Sequence, residues 1–321
     1  MDFAYDFKPT STISVDPPGG THRHSHPHQS QFPAPLPTDT FPSATARYIH
    51  ATKSGENALW VVFVIMTLGL LGVGVLSLRV EKRARVFHWI SAGVLTIAMV
   101  SYLVMATGLG VSYVPIHEQA KGGTVHFLRE VYYARYIDWL FTTPLLLLSL
   151  ALLAGLSPAD TLMVVLADIF MIVTGLFAGV VPSRLDAGQR SRWLFYAISC
   201  IAFLGIFVTL YQGGRKAAAM RPRKTRGLFW LLSAMTFALW TAYPIVFALT
   251  EGANKVGVDA EIIAYGVLDV AAKVGFTFLL LMIHSHGEEA TWTLPEWFVE
   301  PRQGTGGDGR GTYGSLRNGD E

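Results

Sequence analysis

An all-α membrane protein, a bundle of seven transmembrane helices, is the fold class this sequence predicts. Three observations lead there. Hydrophobic residues make up 51% of the chain and charged residues only 15%, a balance closer to polytopic membrane proteins than to soluble domains. Seven stretches approach or reach the ~20 apolar residues that a spanning helix needs. Basic residues gather in alternate connections, as a fixed membrane topology requires.

The spans are placed at 58–78, 86–108, 131–153, 159–181, 192–211, 227–249 and 260–284. Before them, residues 1–55 are rich in Pro, Ser, Thr and His without apolar periodicity, which predicts a disordered tail. No basic stub with an apolar core opens the chain, so the first span is expected to act as the targeting signal. The histidines His22, His24, His26 and His28 read as a solvated low-complexity tract rather than a metal site, and no metal is expected elsewhere. Residues 56–285 form the expected seven-helix domain, and the Gly-rich stretch 286–321 a second disordered tail.

Arg79, Lys82, Arg83 and Arg85 follow the first span; Arg215, Lys216, Arg221, Arg223, Lys224 and Arg226 follow the fifth. The positive-inside rule makes these connections cytoplasmic, with the N-terminus outside, the C-terminus inside and the plasma membrane as the expected location. Connections on the other face mix fewer basic residues with Glu118, Glu130, Asp186, Glu251 and Asp259. A net charge of +2 gives no reason to expect nucleic acid. Cys200 is the only cysteine, so no internal disulfide can form, and it reads as a small apolar residue of the fifth span.

Chemistry enters with Lys273, near the middle of the apolar run 262–283 and one helical turn after Asp269. Ionisable groups in hydrocarbon are costly and mark function, and i, i+4 spacing puts these two on one helix face. The third span adds Arg135, Asp138, Thr142 and Thr143. Two carboxylates, one arginine and one lysine make a cluster that can be neutral overall, as a low-dielectric site requires. A lysine amine desolvated in an apolar site can condense with an aldehyde. Trp139, Trp240, Tyr243, Met171, Gly175 and Leu146 offer flat, small or pliable walls for a long slot beside it, although each alone reads equally as helix packing.

Four stretches carry a resemblance: YYARYIDWLFTTPLLLL at 132–148, LADIFMIVTGL at 166–176, WTAYP at 240–244 and LDVAAKVGF at 268–276. Through them the sequence resembles the microbial rhodopsins, seven-helix proteins holding retinal on a lysine of the last helix. The wording EIIAYGVLDV at 261–270 and the long tails resemble the fungal branch, with its light-driven proton pumps and their non-pumping relatives.

The resemblance implies all-trans retinal as a Schiff base on Lys273, absorbing in the green, with Leu146 at a colour-tuning position. It implies Asp138 as counterion and first proton acceptor, Asp269 as the second carboxylate, and Arg135 as the arginine passing protons outward. Tyr243 partners Asp269, Tyr102 and Tyr132 lie between these layers, and Glu251 and Glu261 share and release a proton. The implied pocket is Trp139, Thr142, Leu146, Met171, Gly175, Tyr196, Ser199, Trp240, Tyr243, Pro244 and Phe247, of which Tyr196 and Phe247 stand where the best-studied pump has tryptophans. Asp168 is expected to tie the fourth helix to Thr143.

Ser149 is the telling departure. It follows Asp138 by eleven residues, about 16 Å along nearly the same helix face, at a position where efficient outward pumps carry a carboxyl donor. A hydroxyl cannot store a proton near neutral pH. Two readings follow: an outward proton pump with slow reprotonation, or a slow-cycling sensory rhodopsin signalling to an unnamed partner, and the release glutamates favour the pump. Either way the expectation is a transporter or photoreceptor rather than an enzyme. Its expected partners are the lipid bilayer and protons, with self-association left open.

Overall fold

The computed structural model describes residues 46–116, 126–182 and 186–285. The histidine tract, most of the N-terminal stretch and the C-terminal stretch from 286 lie outside the described residues. Among the described residues, seven helical segments are long and apolar enough to cross a membrane, in the order the sequence predicts.

The first four spans are α1 (Lys53–Ser77), α2 (Val86–Ala106), α3 (Tyr133–Ala154) and α4 (Pro158–Val180). Caps fix several ends. The Thr52 hydroxyl accepts the Ser54 N–H, and Thr52 also donates through its N–H and hydroxyl to Asp259 at 2.7 and 2.5 Å. That fastens the start of the first span to the start of the seventh. Gly155 ends α3 at φ 77°, a conformation glycine adopts without Cβ strain, and Pro158 follows Ser157 as the first residue of α4, where its missing N–H costs nothing.

The fifth and sixth spans, α5 (Asp186–Ala219) and α6 (Arg223–Phe247), run beyond 192–211 and 227–249 at the end where the two helices meet. The expected basic loop is helical instead. Lys216 and the alanines 217–219 are strong helix formers, so α5 continues to Ala219 and stops three residues short of Pro222, whose ring could not extend it. Its 34 residues reach about 50 Å, well past a ~30 Å hydrocarbon core. The seventh span comprises α7 (Val258–Asp269), a π-helical stretch Val270–Gly275 and α8 (Phe276–Ser285). Such wide turns recur at functional sites, and this one carries Lys273.

One feature lies beyond the sequence reading. Strands β1 (Ala46–Ile49), β2 (Ser112–Ile116) and β3 (His126–Val131) form a small sheet in the order β1-β3-β2, parallel between β1 and β3 and antiparallel between β2 and β3. Residues 46–55, expected in the disordered tail, are therefore folded: β1 satisfies its backbone groups on β3, and α1 begins at Lys53. The sheet caps the end of the bundle that holds the starts of α1, α3 and α7. The third span is the most buried, with 61% of its apolar window inside the protein against 17% for the fifth, so α3 forms the centre on which the site is built.

Candidate functional site

Lys273 is buried, and two carboxylates flank its amine. Asp269 Oδ1 lies 2.7 Å from Nζ, and Asp138 Oδ2 lies 2.8 Å away. The two acids are held differently. Asp269 also accepts the hydroxyl of Tyr102 at 2.6 Å, the hydroxyl of Tyr243 at 2.8 Å and the indole N–H of Trp139 at 3.1 Å. Asp138 makes the ion contact with Lys273, but neither of its oxygens receives an aligned hydrogen bond. One carboxylate is fastened by several hydrogen bonds and the other is held by the ion contact with Lys273.

Toward the sheet the charges continue. Arg135 donates to Glu261 Oε1 at 3.0 Å and stands 3.9 Å from Glu251 Oε1, its guanidinium 4.3 Å from the Tyr265 ring centre and 5.7 Å from that of Tyr132. Arg129 binds the other oxygen of Glu261 at 2.8 Å and the Val256 carbonyl at 3.0 Å. Glu251 Oε2 accepts the Tyr136 hydroxyl at 2.5 Å, and Arg192 donates to the Glu251 and Val181 carbonyls. The two glutamates thus meet through Arg135; each keeps its own further partner. Gly179 on α4 allows this approach, since a Cβ there would stand 2.7 Å from Glu251 Oε2 and 2.8 Å from the Tyr136 hydroxyl.

Beside Lys273 lies a cavity walled almost wholly by apolar surface. Trp139, Leu146, Met171, Gly175, Tyr196, Ser199, Trp240, Tyr243, Pro244 and Phe247 line it. Tyr196 and Phe247 stack at 5.3 Å with planes 10° apart, the Tyr196 hydroxyl donates to the Pro244 carbonyl at 3.1 Å, and Ser199 donates to the Met171 carbonyl at 2.9 Å. The hydroxyl of Thr142, also expected at the pocket, turns back to the Asp138 carbonyl at 2.8 Å. Thr143, about 100° further round α3, lines the cavity and donates to Asp168 at 2.7 Å. Ser149 is buried in the half away from the sheet, donating to the Leu145 carbonyl at 3.1 Å.

The family model for bacteriorhodopsin-like proteins matches residues 55–286. The chain belongs to that family. This bacteriorhodopsin-like protein is 35% identical to Opsin-1 of Neurospora crassa over 290 residues, covering 89% of this chain and 92% of the relative. Among solved structures it is similar to the light-driven proton pump LR (Mac) of Leptosphaeria maculans, at 43% identity and a TM-score of 0.71, covering 74% of this chain and 98% of that one. It is also similar to halorhodopsin, a light-driven chloride pump, at 32% identity and a TM-score of 0.67, covering 75% of this chain and 99% of that one. Fold likeness therefore does not choose the ion.

Bacteriorhodopsin-like opsins bind retinal through a Schiff base to a lysine. The residues fit that group: the walls of the cavity are aromatic and aliphatic, and among the described residues Lys273 is the one lysine that lines it. Several site residues escaped the sequence reading. Tyr136 and Tyr265 look like helix-packing aromatics at their spacing, and Arg129 and Arg192 look like loop charges. Arg129 had one usable signal, the alternation of HFLREV at 126–131, which turns Arg129 and Glu130 to opposite faces of a strand.

Proposed function

We propose that this protein is a light-driven outward proton pump, with its sheet-capped end outside the plasma membrane and with slow reprotonation from the cytoplasm. The observation that carries this reading is the asymmetry of the two carboxylates at Lys273. Asp269 already takes three hydrogen bonds besides its contact with Lys273, whereas Asp138 takes none. A proton leaving Nζ is therefore accommodated on Asp138 with the fewest bonds broken.

Retinal bound at Lys273 supplies the absorption of light and the isomerisation that reorients the Nζ proton. The chain's own residues supply the route. Once Asp138 is neutral, the attraction holding Arg135 toward the centre weakens, and its guanidinium is drawn toward Glu251 Oε1, 3.9 Å away. A cation moving closer to two buried glutamates favours loss of a shared proton at that end. Refilling comes from the opposite half, where Ser149 Oγ can hold a water in line but cannot store a proton.

Ser149 is also the observation behind a second reading, a slow-cycling photosensor that signals to a partner. Transport separates the two. Asp138→Asn shifts the visible band to the red, because loss of the nearby negative charge destabilises the cationic ground state, and it ends light-driven proton export. Absorption spectra and pH recordings of illuminated cells check both. An unshifted band with continued export would transfer the acceptor role to Asp269.

A further inference from the structure

Glu130 is a buried carboxyl that the route above does not use. It lies on β3, outside the spans, 7% exposed, and its Oε2 accepts the Ala51 N–H at 2.7 Å. Opposite it across the sheet stands Tyr113 of β2, and the Tyr132 hydroxyl and Glu261 of α7 are near enough to alter its hold on a proton. His50, partly exposed, sets its imidazole 2.8 Å from the carbonyl of Ala51, the residue whose N–H Glu130 accepts. Tyr132 in turn sets its ring 5.7 Å from the Arg135 guanidinium. The order Arg135, Tyr132, Glu130, His50 leads from the buried charges to the sheet-capped surface.

We propose that Glu130 is a proton-carrying exit group, accepting the proton released around Glu251 and Glu261 and passing it to bulk solvent beside His50. The inference rests on the outward-pump reading. Glu251 and Glu261 are about 1% exposed or less and are held by Tyr136, Arg135 and Arg129, so a proton leaving them needs a further acceptor before it meets bulk water. In each turnover one O–H bond forms on the Glu130 carboxylate and the same bond breaks as the proton moves on; no other bond changes. Burial raises the hold of Glu130 on a proton above that of an ordinary glutamate, opposed by the Ala51 N–H, the Tyr132 hydroxyl and His50, and reinforced by Glu261. That tuning suits a transient carrier, and it means that acidifying the outer solution keeps Glu130 protonated and slows exit.

The test is Glu130→Gln, whose side-chain carbonyl still accepts the Ala51 N–H while titration is lost. Single-flash experiments follow the chromophore absorbance and a membrane-impermeant pH dye together. Glu130→Gln is expected to delay the outside proton severalfold against an unchanged chromophore signal, with Glu130→Asp restoring the timing. Infrared titration in the dark supplies a second readout: a carboxyl band titrating above the usual glutamate range, lost in Glu130→Gln and shifted in Glu130→Asp. Wild-type proton timing in Glu130→Gln, or no such band, would reduce Glu130 to a clamp on Ala51 and leave the pump intact. No proton outside in the wild type would instead overturn the pump reading and this inference with it.

Discussion

The two halves of the bundle are made of the same apolar helices and differ in what they bury. Between Lys273 and the sheet lie Asp138, Asp269, Arg135, Glu251, Glu261, Arg129 and Arg192, every one of them buried. Beyond Pro144, in the half away from the sheet, the buried polar groups are Ser149, Thr236, Thr277, Ser91 and His88. Buried charges are tolerated where each has a partner, and the first half is built from such pairs; the second half is a hydrophobic barrier broken by hydroxyls and one imidazole. On the pump reading, the contrast gives release and refilling different physics, a chain of titratable groups on one side and proton supply through water on the other.

Removing the hinge between the halves has the largest expected effect. Lys273→Ala leaves an expressed protein with no visible absorption when retinal is added, since both halves lose the nitrogen they exchange protons with. Spectra after hydroxylamine treatment and washing check this, and a surviving visible band would contradict it.

Next comes the barrier half. With a hydroxyl rather than a carboxyl at Ser149, the pump reading makes the return of the proton to Lys273 Nζ depend on bulk supply, slowing it about tenfold for each unit rise in pH while supply is limiting. Ser149→Asp makes the two halves alike: it speeds the return at alkaline pH and flattens the dependence, as added azide does for the wild type. Flash photolysis from about pH 5 to about pH 9 measures the slope. A fast, flat return in the unmodified protein would mean an internal donor, and His88 is the buried ionisable side chain of that half to test first.

The smallest effect falls on the charged half. Gly179→Ala forces a methyl group against Glu251 and Tyr136, a local overpacking that costs about 1–3 kcal/mol. A lower temperature of colour loss and a later outside proton are expected, with little change in the band. Unaltered stability would show that the fourth helix yields at that point.

The cluster of Arg135, Asp138, Asp269 and Lys273 was legible in the sequence because an ionisable group inside an apolar run announces itself. Ser149 was legible as a departure only after the resemblance supplied an expectation. The outer shell was not. Arg129 and Arg192 sit at span edges, where positive charge is read as topology, and their burial depends on a sheet whose strands are four to six residues long, too short to stand out from loop. Thr142 and Thr143 differ by a single helical step, which composition cannot orient. The π-helical turn at Lys273 has no local sequence code, since it arises from packing around the site.

The central claim, vectorial proton export, is tested most directly by the pH of an unbuffered suspension of cells expressing the protein with retinal, recorded in light and dark. Export predicts acidification of the medium on illumination that a protonophore abolishes. Illumination that leaves the pH unchanged, in cells whose membranes carry the coloured protein, would contradict it and favour the sensor.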